Sequence, residues 1–228
     1  MNADSISLIV PARNEGNRLK TFLSDLMIQA ARLTRISQVV VVLDACTDES
    51  AQIVREMALI WPPGCTLTAV EVEPSQGKAH AVWCGLAAAP GHFALLWDAD
   101  LEYGLCALPA LVDAASTWTL VSGRRQAGMG WKSWLANALV RLTLRLRGYG
   151  RPPADVLTGV HLAEAAWLRS TLHAVQPGGY TLEATLVREA LRSRLYCYDV
   201  PVAYRPRSIA EGRGVRWYHL PSILRAAA

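Results

Sequence analysis

The sequence predicts an α/β protein with a mostly parallel central sheet and helices on both faces. Three observations carry this. Short apolar runs bounded by turn residues alternate with segments of helical periodicity through the first half of the 228 residues, the pattern of consecutive βαβ units. Hydrophobic residues make up 52% of the chain and charged residues 18%, which supports a large buried core and excludes global disorder. No linker long enough to divide the chain is visible, so residues 1–228 are expected to form one domain.

The elements follow in order. Residues 5–10 (SISLIV) form the first expected strand, and residues 15–33 carry Leu19, Phe22, Leu23, Leu26 and Met27 at helical spacing. Residues 38–43 (QVVVVL) form a Val-rich second strand, followed by a helix over 48–61. An alternating third strand spans 66–73, a helix 77–88, and a fourth strand 93–97 that runs into an acidic cluster. The second half is less regular. It holds a short strand at 120–122, a helix at 131–147, an extended stretch at 155–162, a helical segment at 179–191 and a strand at 195–204. The Gly-, Pro- and Arg-rich tail at 206–217 reads as a loop or lid. The 131–147 helix has Trp131, Trp134, Leu135, Ala138, Leu139, Leu142 and Leu146 on one face. Its simplest reading is a core face. The alternative is a basic amphipathic helix lying on an anionic membrane surface, flanked by Lys132, Arg141 and Arg145.

Composition narrows the function classes. The formal net charge is +4, from twenty Arg and three Lys against 19 acids. That is too mild for a nucleic-acid surface without a clustered patch. The five cysteines are odd in number and contain no CxxC. They argue against a disulfide framework or zinc site and for a reducing, cytoplasmic setting. The N-terminus lacks the pattern of a signal peptide, and no apolar stretch is long enough to span a membrane, so membrane contact is expected to be peripheral at most.

Ligands of parallel sheets bind at the carboxyl ends of strands. The four loops there read PARNE, DACTDES, PSQGKAH and DADLE. In the last, Asp98-Ala99-Asp100 can bring two carboxylates to one hard cation and the phosphates it holds. Pro11-Ala12-Arg13-Asn14-Glu15 lacks the glycines of a dinucleotide or P-loop site but makes a sharp strand-to-helix turn, with Asn14 the expected helix cap. Asp44 is a strand-end acceptor for a base N–H. Gly77-Lys78 places an ammonium at a helix start, against the dipole, as if an anionic partner required it there.

Together, in order and spacing, these loops resemble the family 2 glycosyltransferases of the GT-A fold, through VPARNE, VVLDACTDES, QGKAHAV and LLWDADLE. The resemblance implies a donor half at 1–102 that binds a UDP- or GDP-sugar and an acceptor half at 103–228. Pro11 to Glu15 and Asp44 would hold the base. Gly77 and Lys78 would lie near the nucleotide. Asp98, Ala99 and Asp100 would meet the ribose and a divalent Mn or Mg ion. Leu43 and Cys46 depart from the family pattern, which usually has Asp and Ser there.

Val121 to Arg125, Ser133, Asn137, Asp155 and Thr158-Gly159 resemble the polyprenyl-phosphate branch of the family, which makes a lipid phosphate one acceptor class and a small molecule the other. TLEATL puts Glu183 where inverting members carry the catalytic base, although Ala184 follows in place of the usual Asp; Asp155 is the alternative base or an acceptor-positioning residue. Arg213-Gly214-Val215-Arg216-Trp217 resembles the QxxRW motif, which implies diphosphate or acceptor contacts for Arg213, Arg216 and Trp217, joined by Arg124. Arg125, Arg205 and Arg207 fall in the same half. In related enzymes a late His completes the metal site, which makes His219 the implied third ligand beside Asp98 and Asp100. A haloacid-dehalogenase-type phosphatase also uses DxD, but Glu102 stands where its Thr or Val belongs and the pair lies mid-chain. A catalytically silent binding module would be expected to have lost the DxD.

Overall fold

The computed structural model describes residues 4–173, 175, 180–207 and 217–228. One seven-stranded sheet runs through both halves of the chain in the order β3-β2-β1-β4-β6-β5-β7. The strands are β1 (Ile6–Ala12), β2 (Ile36–Asp44), β3 (Thr66–Val72), β4 (Phe93–Leu96), β5 (Thr119–Arg125), β6 (His161–Glu164) and β7 (Tyr196–Val202). All pairings are parallel except those of β6, which is antiparallel to both β4 and β5. The expected mostly parallel architecture is therefore present, with one reversed strand, β6, inside it between β4 and β5.

The first half follows from strand alternation. Leu8 and Val10 of β1 and Val39 and Val41 of β2 point to one face, where α1 (Gly16–Ala30) and α2 (Ser50–Leu59) cover them with Leu19, Phe22, Leu23, Leu26, Ile53, Val54 and Met57. Ile9, Val40 and Val42 point to the other face, against α3 (Lys78–Ala87). Each such side chain contributes roughly 1.5–3 kcal/mol on burial, so both faces are committed and the register is strongly specified. Gly85 lets α3 approach closely: a Cβ there would come within 2.6 Å of Ile9 Cγ2 and 2.8 Å of Val42 Cγ2. This packs α3 closely on β1 and β2, and Lys78 at its start reaches Asp98 just past the end of β4.

The second half adds α4 (Leu108–Asp113), α5 (Trp131–Leu146), α6 (Ala165–Leu172), α7 (Leu182–Arg192) and α8 (Leu220–Ala227). The expected extended stretch at 155–162 contributes only its end to β6, and helices α4, α6 and α8 were not anticipated.

The main correction concerns α5. Its buried residues are Asn137, Val140 and Leu144. Trp131 is 68% exposed, Trp134 64%, Leu142 51% and Leu146 78%. The apolar stripe expected in the core is turned outward. Asn137 explains the orientation: its Nδ2 donates to the Ala154 carbonyl at 2.9 Å and its Oδ1 accepts from the Val156 amide at 2.8 Å. A 5%-exposed amide that satisfies two backbone groups outweighs a wider apolar face, because leaving those groups unpaired would cost about 1–3 kcal/mol each.

Candidate active site

The parallel strands β1, β2, β3 and β4 end on one edge, and their loops form the floor of the site. β1 and β4 are neighbours whose chain connections run in opposite directions, the switch point at which such sheets bind ligands. On one side of the edge, Asp44 is buried at the end of β2. Its Oδ2 accepts from Ser75 Oγ at 2.8 Å, and Ser75 Oγ accepts from Arg13 Nη1 at 3.0 Å. Its Oδ1 is buried without a partner among the described residues. Three strand-end loops thus converge on one carboxylate with a free acceptor atom. Asn14 is not the helix cap expected from sequence. It adopts φ +53°, and its Oδ1 accepts from the Thr47 amide at 2.8 Å, tying the first loop to the second. Pro11 and Ala12 are the last residues of β1.

At the centre, Lys78 Nζ lies 2.8 Å from Asp98 Oδ1, 2.9 Å from Asp98 Oδ2 and 2.8 Å from Glu183 Oε1. The three side chains come from the start of α3, the end of β4 and the first turn of α7. Burial opposes the Lys78 charge, but the two carboxylates hold its pKa above the usual ammonium range. Burial likewise opposes ionisation of Glu183, yet the Lys78 ammonium beside it holds its carboxyl below the usual range. Burial raises the pKa of Asp98. For Asp100, burial and then the Asp98 and Glu102 charges push it up to about 7.

Asp100 has a partner that the motifs do not single out. Arg207, in the segment after β7, reaches Asp100 Oδ2 at 2.9 Å, Glu102 Oε1 at 3.4 Å and Glu15 Oε1 at 3.4 Å. Glu102 organises this segment, accepting from the Arg207 amide at 2.9 Å and from Tyr204 Oη at 3.0 Å. Sequence reasoning places Arg207 only among the arginines of the second half. Ser75 stands inside a quoted motif, yet nothing in its spacing marks it as the link between Arg13 and Asp44.

Asp155 is buried at 0% exposure and grips Arg125 with both oxygens, at 2.6 and 2.7 Å. The segment that follows it reaches the site: a Cβ on Gly159 would overlap the Asp98 carboxylate, and the Gly159 amide donates to Tyr103 Oη at 2.8 Å. His161 on β6 is buried at 1% exposure. Its Nδ1 lies 3.1 Å from Ser122 Oγ and its Nε2 has no partner among the described residues. Burial drives its pKa down to about 4 despite the pull of Glu183.

Other expected residues are placed less centrally. Arg124 is exposed on β5. Arg213 and Arg216 lie outside the described residues. Trp217 begins a 3-10 turn, Trp217–His219, that leads into α8. His219 packs between Tyr180 and Tyr218, tilted against the first ring and edge-on to the second, with centroids 4.1 and 4.3 Å away. Among the described residues no three His, Cys, Asp or Glu side chains are already arranged to hold a metal. The two carboxylates still suit a hard divalent cation whose other ligands are phosphate and water. Burial first, and then the Asp98 and Glu102 charges, raise the pKa of Asp100, and nearby positive charge relieves the repulsion among these carboxylates.

Comparison with known proteins agrees with this geometry. The model of the family "Glycosyl transferase family 2" matches residues 7–162. A curated relative from Edwardsiella ictaluri, named undecaprenyl-phosphate 4-deoxy-4-formamido-L-arabinose transferase, is 29% identical over 91% of this chain and 62% of its own length. A protein of the same name from Pseudomonas paraeruginosa is 26% identical over 85% of this chain and 59% of its own. The chain thus spans little more than half the length of these relatives. An uncharacterized glycosyltransferase of Mycobacterium tuberculosis is 27% identical over 91% of this chain and 88% of its own length. Among solved structures, glucosyl-3-phosphoglycerate synthase from Mycobacterium tuberculosis in complex with Mn2+, UDP and phosphoglyceric acid superposes with a TM-score of 0.67 at 21% identity, covering 97% of this chain and 75% of that one. The fold is the GT-A arrangement, and the chain belongs to glycosyl transferase family 2.

Proposed function

We propose that this protein is a metal-dependent glycosyltransferase that moves a sugar from a nucleoside-diphosphate sugar to an ionised phosphate oxygen of its acceptor. The observation that carries the reading is the convergence of Lys78, Asp98 and Glu183 beside Asp100, on the sheet edge that also presents Asp44. The relatives named as undecaprenyl-phosphate transferases and the neighbour that holds UDP and Mn2+ support it.

Residues 1–102 take the donor and residues 103–228 the acceptor. The unpartnered Oδ1 of Asp44 accepts a ring N–H of the base, while Arg13 and Asn14 fix the walls of that pocket. Asp98 and Asp100 hold Mn or Mg, which when bound neutralises the charge on the diphosphate. Arg207 gives up Asp100 and turns to the phosphates, for which its forked donors are suited. Lys78 supplies a second positive charge, kept in place by Glu183.

The acceptor oxygen forms a bond to the anomeric carbon, and the bond from that carbon to the diphosphate oxygen breaks. The electron pair leaves on the nucleoside diphosphate. A phosphate oxygen is already ionised and has no proton to lose. This fits Glu183, whose Lys78 partner makes it a weak base. A hydroxyl acceptor would instead hand its proton to Glu183. In this reading Asp155 is a structural anchor and not the base. A lipid-phosphate acceptor places the protein at the cytoplasmic face of a membrane. Among the described residues no helix is long and apolar enough to cross one.

The test is a donor-hydrolysis screen of UDP- and GDP-sugars with and without manganese. One donor should release nucleoside diphosphate only with metal. Absence of nucleotide binding by calorimetry, with metal present, would overturn the reading. Glu183→Gln separates the acceptor classes: transfer to phosphate should stay within about tenfold of wild type, whereas loss of a required base costs about 10²–10⁴-fold.

A further inference from the structure

The outward face of α5 has no role in the site described so far. Trp131, Leu142 and Leu146 fall within a narrow arc of the helix, with Trp134 at its edge, and all four are more than half exposed. Large apolar side chains clustered on one exposed helix face mark an interaction surface, whereas scattered ones do not. The charge around them is one-sided. Between Asp113 and Asp155 the chain has no acidic residue and seven basic ones. Five of these, Arg124, Lys132, Arg145, Arg147 and Arg151, are exposed. Arg145 lies on the aromatic face itself, and Lys132 Nζ sits 5.6 Å from the centre of the Trp131 ring. The protein as a whole carries only +4, so this stretch departs sharply from the rest.

We propose that the outer face of α5 docks the protein onto an anionic phospholipid bilayer. The helix would lie in the interface plane, with the tryptophan rings at headgroup depth and the basic side chains against lipid phosphates. Trp suits that depth because its ring is apolar while its N–H keeps a polar partner. A second copy of this chain is the competing occupant, and charge decides against it: two copies of a stretch whose five exposed charges are all cationic would repel across a symmetric interface. The docking also has a path to the site. The buried side of α5 is stitched through Asn137 to Ala154 and Val156, and the same segment continues to Gly159, which lies against Asp98. Docking on α5 therefore sets the acceptor half at the bilayer surface, where the lipid-phosphate acceptor of the proposed function resides, and in that respect it deepens that reading.

The measurement is co-sedimentation of the full chain with vesicles of phosphatidylcholine alone and with an added phosphatidylglycerol fraction, alongside tryptophan quenching by brominated lipids. Binding should need the anionic lipid and weaken as salt rises. Trp131→Ala with Trp134→Ala should lower partitioning at least tenfold. Lys132→Gln or Arg145→Gln alone should lower it about fivefold, the factor that corresponds to ~1 kcal/mol per basic residue near the surface. All four side chains are exposed, so the melting temperature should not move. Failure of the wild-type protein to bind anionic vesicles at low salt overturns the proposal. So does undiminished binding by the Trp variants, which would put the docking face elsewhere, or a dimer that the Trp variants dissolve. Vesicle binding reads no sugar transfer, so its failure leaves the transferase reading standing, and a failed donor screen leaves the docking standing.

Discussion

The two halves of the sheet reach the same site by different means. In β1 to β4 each parallel strand ends on the same edge, so the order of loops along the chain is the order of parts in the site. Asp44, Lys78, Asp98 and Asp100 are local to their motifs, and the topology alone brings them together. Beyond β4 the reversed strand β6 breaks that rule. There, side chains of the candidate site arrive from a helix start (Glu183) and from the segment after an edge strand (Arg207), and the chain is anchored by a buried pair whose members are 30 residues apart (Arg125 with Asp155). A parallel sheet makes motifs legible. An antiparallel insertion hides them in long-range pairing.

The largest expected effect tests the hidden half. Asp155→Ala should destabilise the protein by about 3–5 kcal/mol, because it leaves the Arg125 guanidinium buried without its partner. Chemical denaturation measures it. Normal stability combined with lost transfer would make Asp155 a catalytic group after all, and the contrast between the halves would weaken.

This contrast also explains what was legible beforehand. Strands β1 to β4 and helices α1 to α3 follow from period and turn chemistry, as does the placing of Asp44, Lys78 and Asp98 at strand or helix ends. The orientation of α5 does not follow, because periodicity cannot weigh a seven-residue apolar stripe against one amide that satisfies two buried backbone groups. The bonding of Arg207 was equally invisible. Nothing local to an arginine near a chain's end reports that three acids await it from the β1 and β4 loops.

The next effect tests the legible half. Asp100→Ala should reduce metal-dependent nucleotide binding and transfer by about 10²–10³-fold, the scale of losing one preorganised electrostatic partner. Calorimetry with UDP or GDP, with and without manganese, reads it. Stability should hold, since Arg207 keeps Glu15 and Glu102. Affinity that stays equal with metal present removes Asp100 as a ligand.

Between the halves lies His161, on the reversed strand but facing Glu183. Its pKa falls from the ordinary 6.5 to about 4 because burial disfavours its charge. The unfolded chain therefore takes up this proton first as pH drops. The stability held by the neutral imidazole is whole above pH 6.5 and is lost as pH falls from there toward about 4, on the order of 3 kcal/mol in total. Denaturation midpoints of wild type and His161→Gln across that window should diverge, with the variant flatter. Parallel curves would mean that the imidazole is hydrated and not sealed beneath the site.

The smallest effect probes how finely the parallel half is built. The Ser75 hydroxyl touches both Asp44 and Arg13, and thereby joins the loops after β1, β2 and β3. Ser75→Ala removes one hydrogen bond on each side and should cost about 1 kcal/mol of nucleotide affinity, roughly fivefold. The fold has little at stake, since the residue is only half-buried in a loop. The nature of the loss is more telling than its size. If Asp44 reads the base, the factor should be the same for the nucleoside and for its diphosphate, because both present the same ring N–H. A loss confined to the diphosphate would instead mean that Arg13, released from Ser75, had been serving the phosphates. Base recognition would then rest on the Asp44 carboxylate without help from its neighbours.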